Sequence, residues 1–329
     1  MSLSVFKTII CSVLLVSALS ACSAADPLKP ANPSLYPSPS PVSGESQPDP
    51  LFPVQAEPVH ITIPGMKGDV KLIYLSDLHI VVLNDEIAPD EKENVALRRS
   101  IFSNQEITSD EQWAEWVSLL NGYEADYLLF GADMIDYNSE ATVSVLEKGL
   151  KELKLPYMYI RADHDTEPYY LKDPSVENSL RRQNRLCENK EVLIKEFPDF
   201  LIIGWNNSTS QLTSEGLELI EEALRKEKPA ILLTHVPIEP LKDESLSELS
   251  RLIFANRSLL WGFGENETVP NETTSALLEM IYAKDSPFVA VLCGHLHYSW
   301  DGKLSDRVQE HVFGPAFYGY YGEITVSGE

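Results

Sequence analysis

Five short apolar runs in this chain each lead into histidine or aspartate, and that pattern limits the possible folds more than any other feature. Residues 288–293 are apolar throughout, end on Gly294, and are followed by His295 and His297. Bounded by Pro287 and Gly294, such a run reads as a strand buried on both faces. In extended chain, side chains at i and i+2 leave on the same side, so both histidines can reach one site. The run at 71–75 leads to Asp77 and His79, and that at 127–130 to Asp133 and Asp136. Residues 156–160 lead to Asp163, His164 and Asp165, and 230–234 to His235. One histidine at such a place is ordinarily a satisfied core residue. Five loaded strand ends are another matter, because ligands of open α/β sheets bind beyond the carboxyl ends of the strands. The pattern predicts one metal site assembled from five places.

Between these runs the apolar spacing becomes helical. Trp113, Trp116, Val117 and Leu120 share a face behind Asp110 as a candidate N-cap, and further helices are expected near 140–154, after Thr213, and from Thr273 or Thr274. Residues 200–205 read as another strand, and 59–63 as an edge strand ahead of Gly65 and Gly68. Residues 80–109, 166–197 and 238–270 lack periodicity and read as loops. The first two would rise over the strand ends as substrate caps. Residues 298–329 read as hairpin material. Alternating strands and helices predict an α/β domain over residues 59–329, with helices flanking sheets.

The amino end does not belong to that domain. Lys7 precedes an apolar stretch at 9–19, too short to span a bilayer but suited to a signal peptide. It closes on Leu19-Ser20-Ala21-Cys22, which resembles the bacterial lipoprotein box. Residues 1–22 are therefore expected to be a lipoprotein signal, with Cys22 lipidated and the protein held at the extracytoplasmic face of the cell membrane. Residues 23–58 carry ten of the chain's 22 prolines and predict a disordered spacer. Of four cysteines only Cys187 and Cys293 would remain in the folded part, which is no disulfide framework. The formal charge of −24 argues against nucleic-acid binding.

Imidazole with carboxylate suits Mn, Fe or Zn better than Ca or Mg. Seven or more candidate ligands exceed the needs of one four-coordinate ion. Two ions sharing a carboxylate fit the count, and such pairs clamp phosphoryl oxygens and activate a hydroxide near neutral pH. In order and placement, Asp77-Leu78-His79, Asp133 with Asp136, His164-Asp165, His235 and Gly294-His295-Leu296-His297 resemble the five signature blocks of the calcineurin-like metallophosphoesterases.

The resemblance implies a two-sheet β-sandwich flanked by helices (α-β-β-α) and a dinuclear site cleaving a phosphomonoester or phosphodiester. By the same resemblance, Asp77, His79 and His297 would hold one ion, with Asp133 bridging to the second. His235, His295 and Asp163 would complete the second ion's shell. His164 would face the scissile phosphate as acid or transition-state stabiliser, Asp165 would orient it, and Asp136 would support the site. Two blocks depart from the pattern. Ala132 stands where glycine is usual, and Asp163 replaces the usual asparagine, with Arg161 placed to offset its charge. The competing expectation is a lipoprotein that keeps the fold as a non-catalytic binding module; retention of His164 favours the enzyme.

Overall fold

The computed structural model describes residues 50–208, 211–254, 260–262 and 269–328, so Cys22, the signal and most of the spacer lie outside the described residues. The apolar runs pair into two mixed sheets. The first has the order β1 (Gln55–Thr62), β11 (Tyr320–Ser327), β2 (Val70–Leu75), β3 (Tyr127–Gly131), β4 (Tyr157–Ile160), numbered along the chain. The second runs β5 (Val192–Glu196), β6 (Leu201–Trp205), β7 (Ala230–Leu233), β8 (Phe288–Cys293), β10 (Gln309–Val312), β9 (Trp300–Lys303). Strands β2, β3 and β4 are parallel, as are β6, β7, β8 and β10.

Alternation along each strand builds the layers. Leu72 and Tyr74 of β2 pack between the sheets with Leu129, Ile202, Ile231 and Leu292. Ile73 and Leu75 point the other way, onto Trp113 and Trp116 of α2 (Ser109–Leu120) and Val143 and Leu146 of α3 (Glu140–Glu152). On the far side of the second sheet, Ile203, Leu232 and Val291 meet Ile220 of α6 (Ser214–Leu224) and Leu277 and Ile281 of α8 (Glu272–Tyr282). Each such side chain contributes roughly 1.5–3 kcal/mol on full burial. The result is the expected α-β-β-α arrangement. It also explains why the central strands read as unbroken apolar runs: both of their faces are covered.

Several stretches expected to be loops contain helices: α1 (Lys92–Ile101), α5 (Val176–Gln183) and α7 (Ser245–Ile253), while the strand-end motif after β4 forms the single turn α4 (Asp163–Thr166). Their apolar period is faint because they bury little that is apolar. Helix α1 buries only Val95, and α5 buries Ser179, Arg182 and Gln183. The second of the expected loops also holds β5. Helix α2 starts earlier than an Asp110 cap implies, since Thr108 is the cap and donates its N–H and hydroxyl to Glu111. The carboxyl-terminal stretch is only partly a hairpin. β9 and β10 pair antiparallel, but β11 crosses to the first sheet and lies between β1 and β2. β1 begins ahead of residue 59, and Pro58 is tolerated in it because β1 is an edge strand.

Candidate metal centre

The parallel strands end together, and the chain turns sharply after each. Asp77, His79, Ala132, Asp133, His295 and His297 all take positive φ, between 48° and 77°. That left-handed backbone costs a non-glycine residue roughly 1–2 kcal/mol, which is why glycine is the more comfortable choice at 132. Hydrogen bonds between the turns hold the strain in place. The Asp77 N–H donates to the Ala132 carbonyl at 3.0 Å, that of His79 to Asp133 at 2.9 Å, and that of Gly294 to His235 at 3.1 Å. Strain kept at such density belongs to sites rather than to cores. Gly294 has a further reason: a methyl there would overlap the Asp77 carboxylate and the Ser76 hydroxyl.

These turns bring ligand atoms together. Asp77, His79 and His297 lie within 4.8 Å of one another, as do His79, Asp133 and His164, and Asp133, His235 and His295. Asp77 Oδ1 is 3.4 Å from His297 Nε2 and 4.0 Å from the Nε2 atoms of both His79 and His235. Asp133 Oδ2 is 3.0 Å from His235 Nε2 and 3.8 Å from His79 Nε2. The two remaining histidines sit elsewhere: His60 with Ser327, and His311 with Asp301.

The donor set fits cations. Asp77 Oδ1, Asp133 Oδ1 and His235 Nε2 are buried without a hydrogen-bond partner, His235 Nε2 despite its closeness to Asp133. Buried polar atoms left unpaired cost about 1–3 kcal/mol each, more when charged, and a shared ion is the partner that carboxylates and imidazoles in this arrangement suit. The tautomers agree. His164 Nδ1 lies 2.7 Å from the Asp136 carbonyl and His235 Nδ1 2.8 Å from that of Gly131. A carbonyl only accepts, so each Nδ1 carries a proton, and in the neutral ring Nε2 turns its lone pair to the cluster. His79 does the same through the Asp136 carboxylate at 3.2 Å.

Charge in the cluster is concentrated enough to displace its titrations. Burial opposes a charged His235, yet Asp133 and Asp77 raise it to about 10, so an ion binding at Nε2 would displace a proton. Burial and that neighbouring charge push His295 down to about 3. Burial also works against the Asp77 carboxylate, but His297 and His235 hold it at about 2. A group of carboxylates this strongly biased toward positive partners is a cation well.

Three expected residues behave differently from the rest. The Asp163 carboxylate stands outside the three ligand groups; it accepts from the Tyr169 hydroxyl at 3.2 Å, and its N–H donates to Ser208. Arg161 does not offset it, because the guanidinium turns to Gln183 Oε1 at 3.2 Å. Asp165 does not take the orienting role expected of it toward His164. Its carboxylate accepts from the N–H groups of Asp133, Met134, Ile135 and Ala162 and from the Tyr159 hydroxyl, clamping the turn that presents Asp133. The Asp136 carbonyl bonds His164 instead.

Sequence reading missed four residues at this site. Arg98 forks onto Asp136 through Nε at 2.6 Å and Nη2 at 2.5 Å. The Phe102 ring stacks on His79 at 4.3 Å. Asn207 accepts the N–H groups of His235 and Val236. Tyr169 packs edge-on to His164 at 5.6 Å and forms part of the wall of a cavity of about 360 Å³, with Glu91, Glu167 and Tyr170. Arg98, Phe102 and Tyr169 lie in no strand-end motif, so no spacing announced them; Asn207 follows β6 by two residues but carries an amide rather than a histidine or carboxylate.

A family model described as calcineurin-like phosphoesterase matches residues 70–299. Among solved structures, the chain is similar to a dimetal phosphatase from Danio rerio, at 10% identity and TM-score 0.47, over 76% of this chain and 88% of that one. A purple acid phosphatase from yellow lupin is similar at 13% identity and TM-score 0.46, over 79% of this chain and 45% of that one. A phosphopantetheinyl hydrolase from Mycobacterium tuberculosis is similar at 13% identity and TM-score 0.39, over 75% and 90%. No curated protein matches the chain.

Proposed function

The chain belongs to the calcineurin-like phosphoesterase family, and from that premise we propose that it hydrolyses a phosphomonoester or phosphodiester at a two-metal centre formed by the strand-end turns. Members are hydrolases of phosphoester bonds; the finer reading concerns residues and place. The observation that carries it is the set of three ligand groups, linked through His79 and Asp133. Asp77, His79 and His297 would hold one ion. His235 and His295 would hold the other, and Asp133, common to two groups, would join them. Two ions so held supply positive charge for the phosphoryl oxygens and lower the pKa of water.

The remaining work falls to this chain's own side chains. His164 Nδ1 lies 2.7 Å from the Asp136 carbonyl and 3.5 Å from its carboxylate. With Nδ1 held there, an imidazolium at 164 would pass its Nε2 proton to the departing alcohol oxygen. Tyr169, edge-on to His164, would stand beside that alcohol. Asp163 would join the second ion only by leaving Tyr169. Reconstitution of the metal-stripped protein with Mn²⁺, Zn²⁺ or Fe²⁺, assayed on p-nitrophenyl phosphate and bis-p-nitrophenyl phosphate, should restore hydrolysis of at least one. Metal binding with no turnover of either would favour the binding-module reading.

The same reading places the enzyme on the outer face of a bacterial membrane, anchored through Cys22. It rests on the Leu19-Ser20-Ala21-Cys22 sequence and the proline-rich spacer that follows. Among the described residues, no helix is long and apolar enough to cross a membrane. Several acyl chains on one cysteine hold firmly where a single chain would not. Cys22→Ser is expected to move the protein out of the membrane fraction or to block signal processing. Normal processing with unchanged membrane association would remove the anchor.

A further inference from the structure

Helix α1 belongs to no strand-end motif, yet it reaches the proposed centre twice. Arg98, in its last turn, grips both oxygens of Asp136, and Asp136 holds His79 Nδ1 at 3.2 Å. Phe102, at its C-cap, lies flat against the His79 ring, 4.3 Å away at 10°. The Arg98 guanidinium itself rests 5.1 Å from the Phe102 ring and 5.7 Å from that of Tyr170, which lines the cavity. Asp136 and His79 are both almost wholly buried.

We infer that Arg98 and Phe102 position His79, and that helix α1 thereby sets the affinity of one metal site of the pair. The inference rests on the proposed two-metal reading. A histidine ligand has two freedoms: rotation about its bonds and choice of tautomer. Phe102 restricts the first by covering one face of the ring. Asp136 fixes the second by accepting the Nδ1 proton, which leaves Nε2 free to ligate. A buried carboxylate can serve that way only while its own charge is balanced and its oxygens held, and the Arg98 fork does both.

The effect should be confined to one site. His79 belongs to the groups containing Asp77 and His297 and containing Asp133 and His164, whereas His235 and His295 have no bond to α1. Arg99 provides the control. It anchors the same helix through the Val81 carbonyl, Thr108 and Asp110 without touching Asp136.

The test is Mn²⁺ titration of the purified full chain in detergent by calorimetry, with bound metal counted after dialysis. The parent should take two ions. Arg98→Ala should weaken one of them roughly 10- to 100-fold and leave the other within about threefold, the size usual for losing a partner that orients a ligand. Arg98→Lys should recover part of the loss, since lysine returns the charge without the fork. Phe102→Leu should weaken the same ion. Arg99→Ala should lower the melting temperature and change neither affinity. If Arg98→Ala does not fold, Arg98→Lys and Phe102→Leu carry the same comparison. Unchanged Mn²⁺ binding in the Arg98 variants, equal weakening of both ions, or the same loss in Arg99→Ala would each overturn the inference while leaving the two-metal reading standing. A parent that binds no Mn²⁺ would instead remove that reading, and this inference with it.

Discussion

Replacing His164 by alanine is expected to cut turnover roughly 10²–10⁴-fold while both metal ions stay bound. The expectation follows from what the ring can reach. His164 Nδ1 is tied to the Asp136 carbonyl, so only Nε2 faces the cluster. His164 lies close enough to His79 and Asp133 to count among possible ligands. Geometry therefore admits two roles, and metal counting separates them. If His164 gives its proton to the departing alcohol, alanine lowers kcat, metal content is unchanged, and p-nitrophenyl esters suffer least because their leaving group needs little protonation. If it is a ligand, alanine loses an ion along with the rate, for good and poor leaving groups alike. A variant that kept both ions and full turnover on an alkyl phosphate would end the acid assignment.

The strand ends were legible for a physical reason. In a sheet covered on both faces the central strands are apolar without interruption, so their ends are marked by the first polar residues, and those residues are the candidate ligands. Asp77, Asp133, His235 and His295 could be named because each follows its strand within a few residues. What supports them could not. Arg98 meets Asp136 from a helix that buries only Val95, too little for periodicity to mark. Residue 165 shows the limit of reading adjacency as contact: it neighbours His164 in the chain, but the carboxylate accepts from the turn beyond β3. Strand β11 shows the same limit on a larger scale, since its partners lie at the other end of the domain.

The two departures from the family pattern differ in kind. Ala132 keeps the left-handed turn at φ 77° and bears the strain through hydrogen bonds across the loops, so the turn survives without its glycine. Asp163 changes chemistry rather than shape. A carboxylate can accept the Tyr169 hydroxyl where an amide oxygen would do so less strongly, and Tyr169 itself lines the cavity. The departure thus links the residue expected at the second ion to the wall expected to meet the substrate.

Asp133→Ala is expected to strip the protein of both ions and of activity together, the largest single loss available at this site. Asp133 is the one carboxylate shared between the group containing His79 and the group containing His235. The fold spends several interactions on placing it: left-handed backbone at φ 51° and, across the turn, the Asp165 carboxylate taking its N–H at 2.8 Å. Those interactions are made by the backbone, so alanine keeps the turn and deletes only the ligand. Burial opposes its charge, but His235, His164 and His79 hold it well below the ordinary carboxylate range. Binding an ion to the folded chain alone adds RT ln(1 + [L]/Kd), about 2.7 kcal/mol per site at a hundredfold excess over Kd. The parent's melting temperature should therefore rise with added Mn²⁺ and fall with chelator. Asp133→Ala should melt at one temperature under both conditions, with no metal retained after dialysis. Retention of a single ion would mean that Asp133 serves one site only, and that Asp77 Oδ1, near three of the histidines, is the atom that joins the pair.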